Sequence, residues 1–229
     1  MNSGSEFQEI TLKQLVDPKK AALLVVDMQN DFCSEEGALA KYAGSDVRMI
    51  QQMAPRLRRL LADAREVRLP IVHIRTHHSP WTNSRPWTQR RLGMVSRCFP
   101  GSWGAGWYEG FEPILGDEWS PDTHEYVVTK HRYSGFLDTD LDLILRSHGI
   151  ESIIMTGEAT NVCVESTARD GYMHDYFVVF TSDCTATNTD AEHEATLHNM
   201  RRHFGQVVSA GEIATAWREL GVLKEPVAA

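Results

Sequence analysis

Apolar positions along the chain fall into short unbroken runs separated by segments with helical spacing. Ala21-Ala22-Leu23-Leu24-Val25-Val26 is apolar throughout and ends in Asp27. Unbroken rather than alternating apolarity predicts a strand covered on both faces, as in a parallel sheet. Further strands are predicted over Pro70–Thr76, Glu125–Lys130, Ser152–Met155, Phe177–Ser182 and Gly205–Ser209. After the first strand, Val47, Ile50, Met53, Leu57, Leu60, Leu61 and Ala64 recur at three- and four-residue steps, the apolar face of a helix. Asp46 is its expected N-cap, and Pro55 is expected to kink it or mark a restart. Other helices are predicted from Asp138 or Thr139 to a stop at Gly149, after Cys163, from Asp190 to His203, and from Ile213 to Leu220. Strands alternating with helices predict an α/β fold: a doubly wound, mostly parallel six-stranded sheet with helices on both faces. No repeat or linker divides the chain, so residues 1–229 read as a single domain.

Two segments lack either pattern. The polar start, Met1-Asn2-Ser3-Gly4-Ser5-Glu6-Phe7, carries no apolar signal core, so residues 1–10 are set aside as disordered or appended. Residues 77–107 show no period, and connections this long are uncommon and often functional. Trp81, Trp87, Trp103 and Trp107 lie there with Arg85, Arg90, Arg91 and Arg97. Aromatics with arginines suit either a pocket for a planar, anionic small molecule or an oligomer interface.

Composition narrows the function classes. Of 229 residues, 42% are hydrophobic, enough for one sizeable core. The net charge of −8 gives no basic footprint for nucleic acid. No apolar run approaches the ~20 residues of a membrane span, so a cytoplasmic protein is expected. Neither a G-x-G-x-x-G nor a Walker sequence is present, so no nucleotide cofactor is expected. His73, His77 and His78 invite a metal reading. A strand would hold His73 and His77 ~13 Å apart, too far for one ion, and no cofactor or metal is expected there.

Cys33, Cys98, Cys163 and Cys184 form no C-x-x-C pair. Three of them read as small buried hydrophobes. Cys163 differs, because it sits where a predicted strand passes into a helix. Unpaired N–H groups and the helix dipole there favour a thiolate, the nucleophilic form. Asp27 and Lys130 each end a predicted strand, and strand ends share one edge of a parallel sheet, where ligands bind. Taken singly, Asp27 could simply terminate its strand and Lys130 could be a surface charge. An acid, a cation and a thiol on one edge point instead to attack on a carbonyl.

Three stretches carry a family resemblance: Leu24-Val25-Val26-Asp27-Met28-Gln29-Asn30-Asp31-Phe32, then Lys130-His131-Arg132-Tyr133-Ser134-Gly135-Phe136, then Gly157-Glu158-Ala159-Thr160-Asn161-Val162-Cys163-Val164-Glu165-Ser166-Thr167. Together they resemble the isochorismatase-like cysteine hydrolases, from about residue 20 to about residue 210. The second and third look most like the ureidoacrylate amidohydrolases, with biuret and N-carbamoyl-amide hydrolases as neighbours. The resemblance implies a cofactor-free triad of Asp27, Lys130 and Cys163 and a cis peptide at Glu158–Ala159. It implies an oxyanion hole from the Ala159 and Cys163 N–H groups, and a homo-oligomer, dimer or tetramer. The activity implied is cleavage of a C–N bond in a small amide or ureido compound through a thioester.

Thr76, His78, Trp81, Trp87, Tyr133 and Glu158 are the expected substrate-binding residues. Glu158 departs from the family, which commonly has an apolar residue there. The metal-binding Asp-x-His of the family's nicotinamidases has no counterpart, since Cys33 to Met49 contains no histidine. Cys163 argues against the vinyl-ether cleavage of true isochorismatases. That vinyl-ether hydrolase and a catalytically silent small-molecule binder are the two alternatives.

Overall fold

The apolar runs become strands because each can be buried from two sides. The computed structural model describes residues 9–89, 97–116 and 124–225. Its six strands are β1 (Ala21–Val26), β2 (Ile71–Thr76), β3 (Glu125–Lys130), β4 (Ser152–Glu158), β5 (Phe177–Ala186) and β6 (Gly205–Val208). They form one sheet in the order β3-β2-β1-β4-β5-β6. Every pairing is parallel, so the expected "mostly parallel" sharpens to fully parallel. Successive residues of β1 serve opposite faces, as a period of two requires. Leu23 and Val25 enter one core, while Ala22, Leu24 and Val26 enter the other.

The helices in chain order are α1 (Leu12–Leu15), α2 (Asn30–Cys33), α3 (Ala38–Ala43), α4 (Arg48–Glu66), α5 (Arg85–Thr88), α6 (Leu141–Ser147), α7 (Glu165–Met173), α8 (Asp190–His203) and α9 (Ala210–Glu219). The first core joins α4 and α9 to the sheet through Ile50, Leu57, Leu61, Ile213 and Trp217. The buried Trp217 indole donates from Nε1 to the Val16 carbonyl at 2.8 Å. The second core joins α6, α7 and α8 to the other face through Leu141, Leu145, Ala168, Leu197 and Met200.

Pro55 neither ends nor restarts α4, which runs continuously from Arg48 to Glu66. It lies on the exposed face, where the carbonyl it leaves unpaired can reach water. Asp46 does not occupy the N-cap position, which is Val47. Its carboxylate instead accepts the Arg48 N–H at 3.0 Å. Thr189, rather than Asp190, caps α8 by accepting from Glu192 N–H at 3.3 Å. The expectation for residues 1–8 lies outside the described residues. Ile10 packs against the first core, and its carbonyl accepts from Gln206 at 3.1 Å. Among the described residues, no helix is long and apolar enough to cross a membrane.

The strand order reverses beside β1, between β1 and β4, and the carboxyl ends of these strands open a crevice there. The register aligns that edge: Val26 pairs with Gly157 and with Ile74, and Thr76 pairs with Lys130. Gly157 is required at this point. Its φ is +106°, and a Cβ would lie 2.1 Å from the Val26 carbonyl oxygen.

Candidate active site

Asp27, Lys130 and Cys163 are brought together at that edge, each from a different segment. Asp27 follows β1 in a left-handed conformation, φ +53°. Its N–H donates to the Ile74 carbonyl at 2.7 Å, which fixes it to the end of β2. Lys130 closes β3 and points its Nζ between the other two groups. Nζ lies 2.7 Å from Asp27 Oδ2 and 3.4 Å from Cys163 Sγ. It also donates to Thr76 Oγ1 at 2.7 Å and to the Arg132 carbonyl at 3.2 Å. The Thr76 hydroxyl in turn donates to Asp27 Oδ1 at 2.8 Å. Asp27 and Lys130 have no solvent exposure, so the pair rests on its mutual ion pair and on the Thr76 hydroxyl rather than on water.

Gln29 holds this arrangement from behind. Its side-chain carbonyl accepts the Thr76 N–H at 2.7 Å, and its amide donates to the carbonyls of Thr76 and Ala105. Asp31 ties the next turn to the loop before residue 107. Its two oxygens accept from Ala38 N–H and Cys98 N–H at 3.0 and 2.6 Å. Sequence reasoning missed both roles. Gln29 carried no signal beyond lying next to Asp27 in the first motif.

Cys163 sits in a π-helical turn, Thr160–Val164, that runs straight into α7. The peptide bond between Glu158 and Ala159, just ahead of this turn, is cis. The place before the helix favours a thiolate, and burial works against it. Burial pushes its pKa well up; Lys130 opposes this, and the negative charges of Asp27 and Glu158 add to it. That direction favours the thiol over the thiolate. Burial lowers the pKa of Lys130, but Asp27 and Cys163 outweigh that and raise it overall, so the ammonium stays charged.

A cavity of about 460 Å³ opens onto the thiol. Thr76, His78, Trp87, Tyr133, Glu158 and Ala159 all line it, as does Cys163. His78 and Tyr133 flank Trp87, with ring centroids 5.6 and 4.9 Å away. Trp81 is a correction. It is 97% exposed and lies outside the lining. The turn at Ser79–Thr82, closed by Thr82 N–H on the Ser79 carbonyl at 3.1 Å, carries it outward. Thr76 reaches the cavity wall, but its hydroxyl is committed to Asp27 and Lys130.

The lining also includes Phe32, Tyr42, Arg97 and Arg132, which the site reading did not include. Phe32 closes the first motif, and Arg97 lies in the aperiodic segment, so only their neighbourhood hinted at a role. Arg90 and Arg91 of that segment lie outside the described residues. Of the three histidines weighed for a metal, His73 is buried and bonds Glu125 at 2.8 Å on a separate network with Arg65.

Glu158 is 3% exposed, and among the described residues its carboxyl makes no hydrogen bond. Burial, with help from Asp27, raises its pKa to about 8 against the pull of Arg97 and Lys130. The shift favours the neutral acid over the carboxylate near neutral pH.

Comparison with known proteins gives the family. The model of the isochorismatase domain matches residues 21–212. The ureidoacrylate amidohydrolase RutB of Yersinia enterocolitica is 37% identical over 195 residues, 82% of this chain and 84% of that protein. RutB of Pseudomonas savastanoi pv. phaseolicola is 34% identical over 212 residues, 89% of this chain and 86% of its own. An isochorismatase-like hydrolase from Alkaliphilus metalliredigens superposes with a TM-score of 0.72 at 33% identity, covering 86% of this chain and 99% of that one. The N-carbamoylsarcosine amidase of Thermoplasma acidophilum gives a TM-score of 0.65 at 28% identity, covering 83% and 96%. This chain belongs to the isochorismatase family.

Proposed function

We propose that the protein is an amidohydrolase that cleaves a non-peptide C–N bond of a small amide or ureido compound, with Cys163 as nucleophile. The observation that carries this is the position of Lys130 Nζ, within 3.4 Å of both the Asp27 carboxylate and the Cys163 sulfur. An acid, a thiol and a buried cation in mutual contact, open to a cavity of about 460 Å³, suit acyl transfer. The relatives named as amidohydrolases support the same bond type.

The chemistry follows from the charges. Asp27 takes the proton from Cys163 Sγ as the C–S bond forms, and Lys130 stabilises the sulfur's developing charge. The N–H groups of Ala159 and Cys163 receive the tetrahedral oxyanion. Among the described residues, no acceptor engages the Ala159 N–H, which supports that assignment. Loss of one such donor typically costs ~3–4 kcal/mol in catalysis. As the C–N bond breaks, Asp27 returns the proton to the departing nitrogen. Water then attacks the thioester, giving its proton to Asp27, and the thiol is restored.

The test is release of ammonia or amine across ureido, carbamoyl and simple amides, with intact mass recorded during turnover. Cys163→Ala abolishes release, whereas Cys33→Ala, Cys98→Ala and Cys184→Ala retain it. An acyl adduct on another cysteine would overturn the assignment, and pyruvate-type products would favour vinyl-ether cleavage instead.

A cytoplasmic location and a homo-oligomer complete the proposal. Four free buried cysteines support the first. Exposed Leu143, Tyr172, Met173 and Phe177 support the second. Light scattering on the eluted protein tests the oligomer, and a purely monomeric mass would exclude it.

A further inference from the structure

The turn that carries Cys163 is tied to the sheet by a histidine that the triad leaves unused. His193 lies in the first turn of α8 and is 9% exposed. Its Nε2 stands 3.0 Å from the Ser182 carbonyl oxygen, and its Nδ1 stands 2.9 Å from the Thr160 hydroxyl. A carbonyl can only accept, so Nε2 carries the ring proton. In the neutral ring Nδ1 is then the acceptor, and the Thr160 hydroxyl donates to it.

Both partners occupy special positions. Ser182 lies where β5 bulges against β4. Met155 pairs with Phe180 and Gly157 with Thr185, so Thr156 alone on β4 faces the residues from Thr181 to Cys184 on β5. Side chains supply donors along this bulge. The Thr181 carbonyl accepts from the Thr185 hydroxyl at 2.8 Å, and the Asp183 carbonyl accepts from Arg56 Nε at 3.0 Å. His193 serves Ser182 in the same way. Thr160, for its part, opens the π-helical turn directly after Ala159 and has no solvent exposure. The Ala159 carbonyl accepts from Val162 and Val164 N–H at 3.0 and 3.2 Å, which closes the turn on itself. The bond to His193 fixes where the closed turn sits.

We propose that His193 is a positioning residue for the reaction: through the Thr160 hydroxyl it holds the turn between the Ala159 and Cys163 N–H groups, and so sets the spacing of the oxyanion donors. This rests on the amidohydrolase reading and deepens it. The imidazole suits the role because a rigid ring carries a donor and an acceptor on different sides, and thereby couples the bulge to the turn. His193 does not line the cavity, so its effect falls on the chemical step rather than on substrate binding.

The experiment separates the two bonds of the ring. In His193→Gln the amide stands near the place of Nε2 and keeps the bond to Ser182, while Thr160 loses its acceptor. In His193→Asn the amide stands near the place of Nδ1 and keeps Thr160. Thr160→Val removes the hydroxyl and leaves the bulge untouched, and Thr160→Ser retains it. Each variant is assayed on whichever ureido, carbamoyl or simple amide the wild type cleaves fastest, and alkylation of Cys163 by iodoacetamide is timed alongside. Alkylation builds no oxyanion, so it reports the reactivity of the sulfur apart from the donors. His193→Gln and Thr160→Val lower kcat about ten- to a hundredfold, with KM and the alkylation rate within about twofold of wild type. His193→Asn and Thr160→Ser recover most of kcat. Thermal melts check folding, and if His193→Gln fails to fold, Thr160→Val carries the same reading. An unchanged kcat in folded Thr160→Val overturns the proposal. So does a parallel fall in kcat and alkylation, which would place the effect on the sulfur or on the fold as a whole. Both outcomes leave the amidohydrolase reading intact, since the wild type still turns over. Release of no amine or ammonia by wild type from any amide in the panel overturns that reading and this proposal with it.

Discussion

Thr76 and Lys130 are register partners across β2 and β3, and the Thr76 hydroxyl lies 2.7 Å from Lys130 Nζ while donating to Asp27. The sheet's own hydrogen bonding therefore sets the geometry between the acid and the cation. Thr76→Val keeps the shape and removes the hydroxyl. A hydrogen bond to a charged group is worth about 1.5–3 kcal/mol, so kcat falls roughly ten- to a hundredfold. Thr76→Ser recovers most of it. Circular dichroism on both variants checks that the fold is retained, and an unaltered kcat in Thr76→Val would count against this role.

Lys130→Met removes one partner of a buried ion pair and leaves Asp27 with no compensating charge. The expected destabilisation is about 3–5 kcal/mol, together with loss of turnover. Urea unfolding measures the first and steady-state kinetics the second. A variant as stable as wild type would mean that Asp27 is protonated and unpaired at no cost.

Glu158 gives a pH dependence of stability with a definite sign. Its pKa moves from an ordinary 4.5 to about 8 on folding. Between these values the folded protein holds the proton that the unfolded chain has released. Its contribution to stability is therefore lost as pH rises through that window, on the order of 5 kcal/mol in all. Glu158→Gln removes this slope. Thermal melts at pH 5 and pH 9 should show the variant gaining on wild type at the higher pH; parallel melts at both would refute the shift.

Gly157→Ala places a Cβ at φ +106° against the Val26 carbonyl. Strain and overlap together cost about 3 kcal/mol or more. A lowered denaturant midpoint with an unchanged m-value is the expected signature.

Much of this fold is legible because both faces of the sheet are covered, and that writes β1 as an unbroken apolar run. The strand ends were harder to read. Strand β4 continues through Thr156-Gly157-Glu158, and β5 through Asp183-Cys184-Thr185-Ala186, where apolar character fades. Glu158 lines the cavity, while Cys184 and Ala186 still pack in the first core among polar neighbours, so the unbroken apolar pattern that reveals a strand fails before the strand ends. Asp27, Lys130 and Cys163 could be placed on one edge from strand ends alone. The upward shift of the Cys163 pKa could not, since its main cause is burial, which the sequence does not show. Trp81 and Trp87 look alike in sequence. A single turn at Ser79–Thr82 sends the first to solvent, while the second lines the cavity.

The interleaved strand order has a consequence for synthesis. The groups proposed to react stand just after β1, at the end of β3 and in the turn after β4, with β2 holding them in register, so neighbours in space are distant in the chain. A growing polypeptide that has emerged only as far as β3 carries acid and cation without the nucleophile. Nothing resembling the finished centre exists until the fourth strand has slotted in beside the first. On the proposed mechanism, catalysis is in that sense a certificate of assembly, since it waits for β4 to pair with β1 across the length of chain between them.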